Sequence, residues 1–216
     1  FLPISFFRTH LIKTGDWHEE TVFESSGTTG SVPSRHFIAD QKFYQNHAQR
    51  CFELFFGPLE RFHFFALLPS YLERNNSSLV AMIDFFIRQS GSSCSDFYRY
   101  DYEGLSRKLQ ELKDDSRECI LWGVSFALLD LAEQYPQDLS HCMVFETGGM
   151  KGRRKEITRN EMHDRLKEGI SVKALFSEYG MTELLSQAYS MNGTNRFVCP
   201  PWMRVIGRDI TDPFRK

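Results

Sequence analysis

Apolar positions along the chain fall into two spacings. Short, mostly apolar runs at residues 63–68, 119–122, 142–146 and 173–176 read as strands, with 35–38 a further short strand. Between them the apolar residues recur at helical spacing. After the capping residue Asp40, Tyr44, Ala48, Cys51, Phe52 and Phe55 share one face of a helix that Gly57-Pro58 stops near Phe56. Ser77 or Ser78 opens a second helix, with Leu79, Met82, Ile83 and Phe86 inward and Gly91 at its end. Leu105, Leu109 and Leu112 mark a third, residues 125–134 a fourth, and Thr158 with Glu161 forms a capping box opening a fifth that runs to about Lys167. Residues 97–100 read as extended, and 1–17 as an approach segment packed on the body. Strands alternating with helices of about ten residues or more predict an α/β fold, a mainly parallel sheet flanked by helices. With no internal repeat or linker, one domain is expected. Ligands of such sheets sit at the carboxyl ends of the strands, and here the turns at 147–149 and 179–183 are both strand exits.

Three stretches carry candidate chemistry. Ser25, Ser26, Gly27, Thr28, Thr29 and Gly30 crowd four hydroxyls and two glycines between an apolar approach and Pro33. Glycines let backbone N–H groups converge on a ligand, and hydroxyls add donors. The natural guest is a di- or triphosphate, although an ordinary solvated loop has the same composition. The common nucleotide P-loop needs Lys and Ser or Thr after its last glycine, whereas Gly30 is followed by Ser31 and Val32. The second stretch is Tyr179, Gly180, Thr182 and Glu183: a ring to stack a base, a glycine for close approach, a hydroxyl for a phosphate oxygen and a carboxylate suited to Mg²⁺. In the third, Gly148 and Gly149 leave an open edge for a flat base, or make an ordinary tight turn.

Composition narrows the classes. At 216 residues and 41% hydrophobic, the chain can bury a sizeable core. A formal charge of −2 and a pI near 6.4 give no general attraction to nucleic acid or anionic membranes. No apolar run is long enough for a membrane span, and no leader peptide is visible. Twenty phenylalanines, many of them clustered, belong mostly to the core, with a few free to line an apolar acyl pocket. The five scattered cysteines form no C-x-x-C pair, and the seven histidines no H-x-x-x-H pattern. Neither a disulfide framework nor a metal site is suggested by spacing, and a reduced, cytoplasmic setting fits. The chain starts at Phe1 without Met, so a fragment is expected.

The loop at Ser25 to Gly30 resembles the S-S-G-T-T-G-x-P-K phosphate loop of the acyl-adenylate-forming (AMP-binding) superfamily, and Tyr179 to Glu183 resembles its Y-G-x-T-E motif. By that resemblance the chain is an adenylate-forming core that activates a carboxylic acid with ATP and Mg²⁺. Ser25 to Gly30 bind phosphates, Tyr179, Gly180, Gly148 and Gly149 line the adenine pocket, and Thr182 reaches the α-phosphate. Glu183 binds the metal. Leu67 to Arg74, Ser77 to Leu79, Thr147 to Lys151 and Pro200 to Trp202 look like the acyl-protein synthetase branch, the fatty-acid-activating component of the bacterial bioluminescence fatty acid reductase. Enzymes of phenylacetate-CoA ligase type form a sister branch. The partners implied are a fatty acid and a thiol acceptor, a protein cysteine or CoA. The superfamily's Lys after Pro33 is replaced by Ser34, with Arg35 next as a substitute charge. The ribose-binding Asp, the mobile carboxy-terminal domain and the acyl-accepting Cys have no match in residues 1–216, which points to a core incomplete at both ends.

Two alternatives stand beside this reading. Gly123-Val124-Ser125-Phe126-Ala127 comes one residue short of a nucleophile elbow and suggests a serine acyltransferase or esterase, unless Ser125 simply caps its helix. A catalytically degenerate nucleotide-binding module would suit Ser34. The basic run at 151–155 is a solvated loop, or a receiver of pyrophosphate, a phosphopantetheine arm or an acidic partner.

Overall fold

The structure is a computed structural model that describes residues 2–26, 32–69, 76–150, 152–207, 209, 211 and 212. A seven-stranded sheet forms its centre, in the order β4-β3-β5-β6-β7-β8-β9. The first five are parallel: β3 (Phe62–Leu67), β4 (Asp96–Phe97), β5 (Glu118–Val124), β6 (Cys142–Thr147) and β7 (Ala174–Tyr179). The last two, β8 (Ala188–Ser190) and β9 (Phe197–Val198), run antiparallel. A separate hairpin pairs β1 (Thr21–Glu24) with β2 (Arg35–Ile38). The fold is α/β, a mostly parallel sheet flanked by helices, as the alternating spacing predicts.

The longer helices are α2 (Gln41–Phe56), α3 (Ser78–Ser90), α4 (Tyr102–Glu111), α5 (Ser125–Gln134) and α6 (Arg159–Ile170), and each lies where apolar spacing puts one. Their starts follow from side-chain caps: Asp40 accepts from the Phe43 N–H, Ser77 from Val80, Asp101 from Gly104 and Thr158 from Glu161. The capping box is half made, because the Glu161 carboxylate accepts from Arg165 one turn on. Gly91, at a φ of 61°, ends α3 in a left-handed turn that a side chain would strain. The first segment lies against the hairpin as expected, Phe7 edge-on to the His36 ring at 5.3 Å and Lys13 over the Phe37 ring, although α1 (Phe6–Thr9) has no fully buried residue. The extended piece expected at 97–100 is shorter and one residue earlier, as β4.

Phenylalanine explains the core. Trp122, Phe145 and Phe176 stand opposite one another on β5, β6 and β7. Their rings stack across the strands, at 4.6 Å and 5.0 Å between centroids. Phe52 and Phe56 of α2 lie on this ladder, Phe56 edge-on to Phe145 at 4.9 Å. The clustered phenylalanines thus close the interior between sheet and helix.

Candidate functional site

The β1–β2 hairpin delivers the first motif. Its last register pair is Glu24 with Arg35. Ser25 and Ser34 then clamp the strands together: the Ser25 N–H donates to the Ser34 carbonyl at 3.0 Å, and the Ser34 N–H to Ser25 Oγ at 2.9 Å. The Glu24 N–H donates to the Asn76 carbonyl, fixing this neck against the start of α3. Ser34, where the superfamily carries Lys, is buried in the clamp. The expected phosphate-binding residues Gly27, Thr28, Thr29 and Gly30 lie outside the described residues. Arg35 lays its guanidinium over the Phe37 ring, 5.6 Å from the centroid, and does not line the cavity described next.

A cavity of about 210 Å³ opens at the carboxyl ends of β6 and β7. Glu24, Ser25 and Ser26 line one side, and Gly180, Met181, Thr182 and Glu183 another. Ser77, Ser78 and Leu79, at the amino end of α3, supply a third. Two motifs far apart in the chain therefore meet across one space, at the sheet edge where strand topology places ligands.

Within the second motif, each expected residue has its own setting. Tyr179 is 42% exposed at the end of β7, its hydroxyl 3.1 Å from Met181 Sδ and its ring 6.1 Å from that of Phe197, and it does not line the cavity. A Cβ on Gly180 would stand 2.3 Å from Glu178 Oε1, so a side chain there would displace that carboxyl. The Thr182 carbonyl is held by His36 Nδ1 at 2.9 Å, so β2 carries not only the neck of the first motif but the position of the second. Because a carbonyl can only accept, His36 donates here from Nδ1. Glu183 faces the cavity, with no hydrogen bond or ion pair among the described residues. A carboxylate free in a polar cavity is a fit ligand for a hard cation such as Mg²⁺. Gly148, with a φ of 72°, turns the chain after β6, and a Cβ on Gly149 would meet nothing within 4 Å, leaving the open edge expected there. Neither glycine lines the cavity itself.

The floor holds residues the motifs do not include. Glu178 points its carboxyl into the cavity and accepts from Thr147 Oγ1 at 2.7 Å. Burial pushes its pKa up to about 7, and the charge of Glu146 pushes the same way against the Thr147 hydrogen bond. Tyr44 donates to the Ser78 carbonyl at 3.0 Å, and burial raises its phenol above the usual range. Gln187 is buried in the wall, its amide oxygen without a partner among the described residues. Position in the sequence gave no signal for Tyr44 or Gln187, since both carry the residue type of an ordinary helix face or loop.

Ser125 has a different occupation. It is the first residue of α5, and its hydroxyl donates to Glu146 Oε2 at 3.2 Å instead of capping the helix. Ser177 donates to the same carboxylate, and Arg159 Nε reaches it at 3.1 Å. Among the described residues no histidine bonds Ser125. His141 is bonded to the Leu109 carbonyl, and the buried His163 is held to a pKa of about 4 by burial and by the nearby Arg159 and Lys167 charges. With no described histidine beside it, and its proton given to a carboxylate that Arg159 also pairs, Ser125 lacks the nucleophile–base–orienter chain that activates a serine.

No protein-family model matches the chain, and no curated protein sequence is similar to it. Eight chains of solved structures are similar. One is an O-succinylbenzoate coenzyme A synthetase (MenE) from Bacillus subtilis, in complex with AMP, with a TM-score of 0.50 and 18% identity. The match covers 79% of this chain and 32% of that one, so the chain spans about a third of that enzyme's length. What the two share is the fold, a mostly parallel sheet flanked by helices, with the carboxyl ends of its strands gathered on one edge.

Proposed function

We propose that this chain is the core of an acid–thiol ligase of adenylate-forming type, activating a carboxylic acid with ATP as acyl-AMP and pyrophosphate. The observation that carries this is the shared cavity: the neck of the Ser25 loop and the Gly180–Glu183 turn form opposite walls of one space. The similar synthetase, solved with AMP, supports it by analogy of fold.

In this reading Ser25 and Ser26, with Gly27, Thr28, Thr29 and Gly30, bind the β- and γ-phosphates through N–H groups and hydroxyls. They stabilise charge on the departing pyrophosphate. Tyr179 offers its exposed face to adenine, with Gly148, Gly149 and Gly180 leaving room for the ring. Thr182 orients the α-phosphate from a backbone that His36 holds in place. Glu183 would hold Mg²⁺, which when bound neutralises phosphate charge. The acid's carboxylate oxygen attacks the α-phosphorus in line, and the bond to the β-phosphate oxygen breaks. Positioning and charge supply most of the acceleration.

The acid is proposed to be a fatty acid, on the branch resemblance of residues 67–74 and 200–202. Leu79 and Met82 are the apolar wall the described cavity gives it. Transfer of the acyl group to a thiol, a protein cysteine or CoA, belongs to the complete enzyme. The deciding experiment is carboxylate-dependent ATP–pyrophosphate exchange against short, aromatic and long-chain acids. Exchange with long-chain acids is expected. ATP binding without exchange would instead mark a degenerate nucleotide-binding module, and no ATP binding would overturn the assignment of the cavity.

A further inference from the structure

At the opposite edge of the sheet, Cys119 and Cys142 stand side by side as a register pair near the amino ends of β5 and β6. Both are buried, and neither is in a disulfide. His141 brings its ring to the same point, so that one ligand atom from each of the three residues lies within 4.8 Å of the others. Its tautomer is fixed: Nε2 lies 3.0 Å from the Leu109 carbonyl, which accepts only, so Nε2 carries the proton. Nδ1 therefore keeps a bare lone pair. That atom is buried and has no partner among the described residues, an arrangement that costs free energy unless something fills it.

We propose that Cys119, His141 and Cys142 form a binding site for a soft d¹⁰ cation, Zn²⁺ or Cu⁺. Two thiolates and a neutral imidazole are the donors such ions select. The Leu109 carbonyl is the outer-shell partner that orients a ligating histidine. Tetrahedral zinc, with bonds of about 2.3 Å to sulfur and 2.0 Å to nitrogen, sets its ligand atoms roughly 3.5–3.8 Å apart, so small side-chain rotations close the observed cluster onto an ion. Two thiolates also balance the charge of a divalent ion, which makes its burial feasible. A cleft of about 270 Å³, lined by Asp115, Ser140, His141 and Lys173 among others, opens beside the histidine and gives the ion an entry path and a water for a fourth position. The linear sequence hides this site, because the cysteines meet through strand register and not through a short spacing.

The test uses the whole chain, stripped of metal with a chelator and kept reduced without thiols. Co²⁺ as a spectroscopic probe should give a thiolate-to-metal charge-transfer band with one equivalent, and Zn²⁺ or Cu⁺ should displace it. Cys142→Ser and His141→Phe should each weaken Zn²⁺ binding by at least the ten- to hundredfold that loss of an outer-shell partner costs. Cys94→Ser and Cys199→Ser should leave it unchanged. If the site variants fail to fold, the wild type still decides: Zn²⁺ must protect Cys119 and Cys142 from alkylation, mapped by mass spectrometry, and not Cys94 or Cys199. The absence of a charge-transfer band, binding that survives Cys142→Ser, or protection of the other cysteines would each overturn the proposal.

Discussion

Replacing Glu178 by Gln tests whether the cavity floor is built around a carboxyl that resists ionising. In the folded chain Glu178 titrates near 7, against an ordinary value of 4.5. Between those values the unfolded chain has given up a proton that the folded chain retains. The wild type therefore loses stability as the pH rises from 4.5 to 7, and no more above that. At 1.36 kcal/mol per unit, the whole window is worth about 3 kcal/mol. Gln cannot ionise, and its amide oxygen can still accept from Thr147. The advantage of Glu178→Gln over the wild type should grow across the window by about 2–3 kcal/mol and then level off. His163 acts in the opposite direction: folded near 4 and ordinarily 6.5, it makes the protein lose stability as the pH falls from 6.5 to 4. The two slopes nearly cancel in the wild type, so Glu178→Gln should expose a rise of stability with pH and His163→Leu a fall. Urea unfolding from pH 4.5 to 8 at constant ionic strength, with each variant compared to the wild type so that other groups cancel, measures both. A difference between Glu178→Gln and the wild type that does not change with pH would refute the reasoning.

Three further outcomes follow from the same structure. Glu183→Gln should lower carboxylate-dependent pyrophosphate exchange at least about tenfold, or 1.4 kcal/mol of transition-state stabilisation. Its unfolding midpoint should not move, since Glu183 has no partner among the described residues. His36→Phe releases the Thr182 carbonyl and should raise the ATP concentration needed for half-maximal exchange, at a stability cost of about 1 kcal/mol; an unchanged ATP requirement would show that the turn holds itself. Phe145→Ala removes the middle ring of the aromatic ladder and should destabilise by about 3–5 kcal/mol in urea titration.

The parts of this fold legible in the sequence are those where residue type and spacing say the same thing. The runs in β3, β5 and β6 are largely apolar and buried along almost their whole length, and the caps at Asp40, Ser77 and Thr158 are local chemistry. The strands at β1, β8 and β9 escaped because they are two to four residues long and carry no uninterrupted apolar run. For the site, both motifs announce themselves by composition, and Ser25 and Ser26 line one cavity with Gly180, Thr182 and Glu183. What spacing could not reveal is partnership across the chain. Nothing in the Arg35–Ile38 strand marks His36 as the residue that fixes Thr182. The pairing of Cys119 with Cys142 likewise depends on how β5 lies against β6.

Glu146 and Glu178 show why residue type alone does not decide chemistry at a strand exit. They sit on neighbouring strands at the same edge, Glu146 buried and Glu178 half-buried at the cavity. Glu146 receives hydroxyls from Ser125 and Ser177 and the guanidinium of Arg159, so its charge is matched on every side. Glu178 has one hydroxyl donor, Thr147, and no cation beside it among the described residues, so burial raises its pKa and the nearby Glu146 adds to the rise. The shared arrangement therefore divides the pair into a carboxylate tied by Ser125, Ser177 and Arg159 behind the cavity and a protonatable group on its floor. With a pKa near 7, Glu178 leaves the floor less charged below neutral pH than an ordinary glutamate would. The same division disposes of Ser125 as a nucleophile: its proton is already committed to a carboxylate whose role is to be neutralised, not to act as a base.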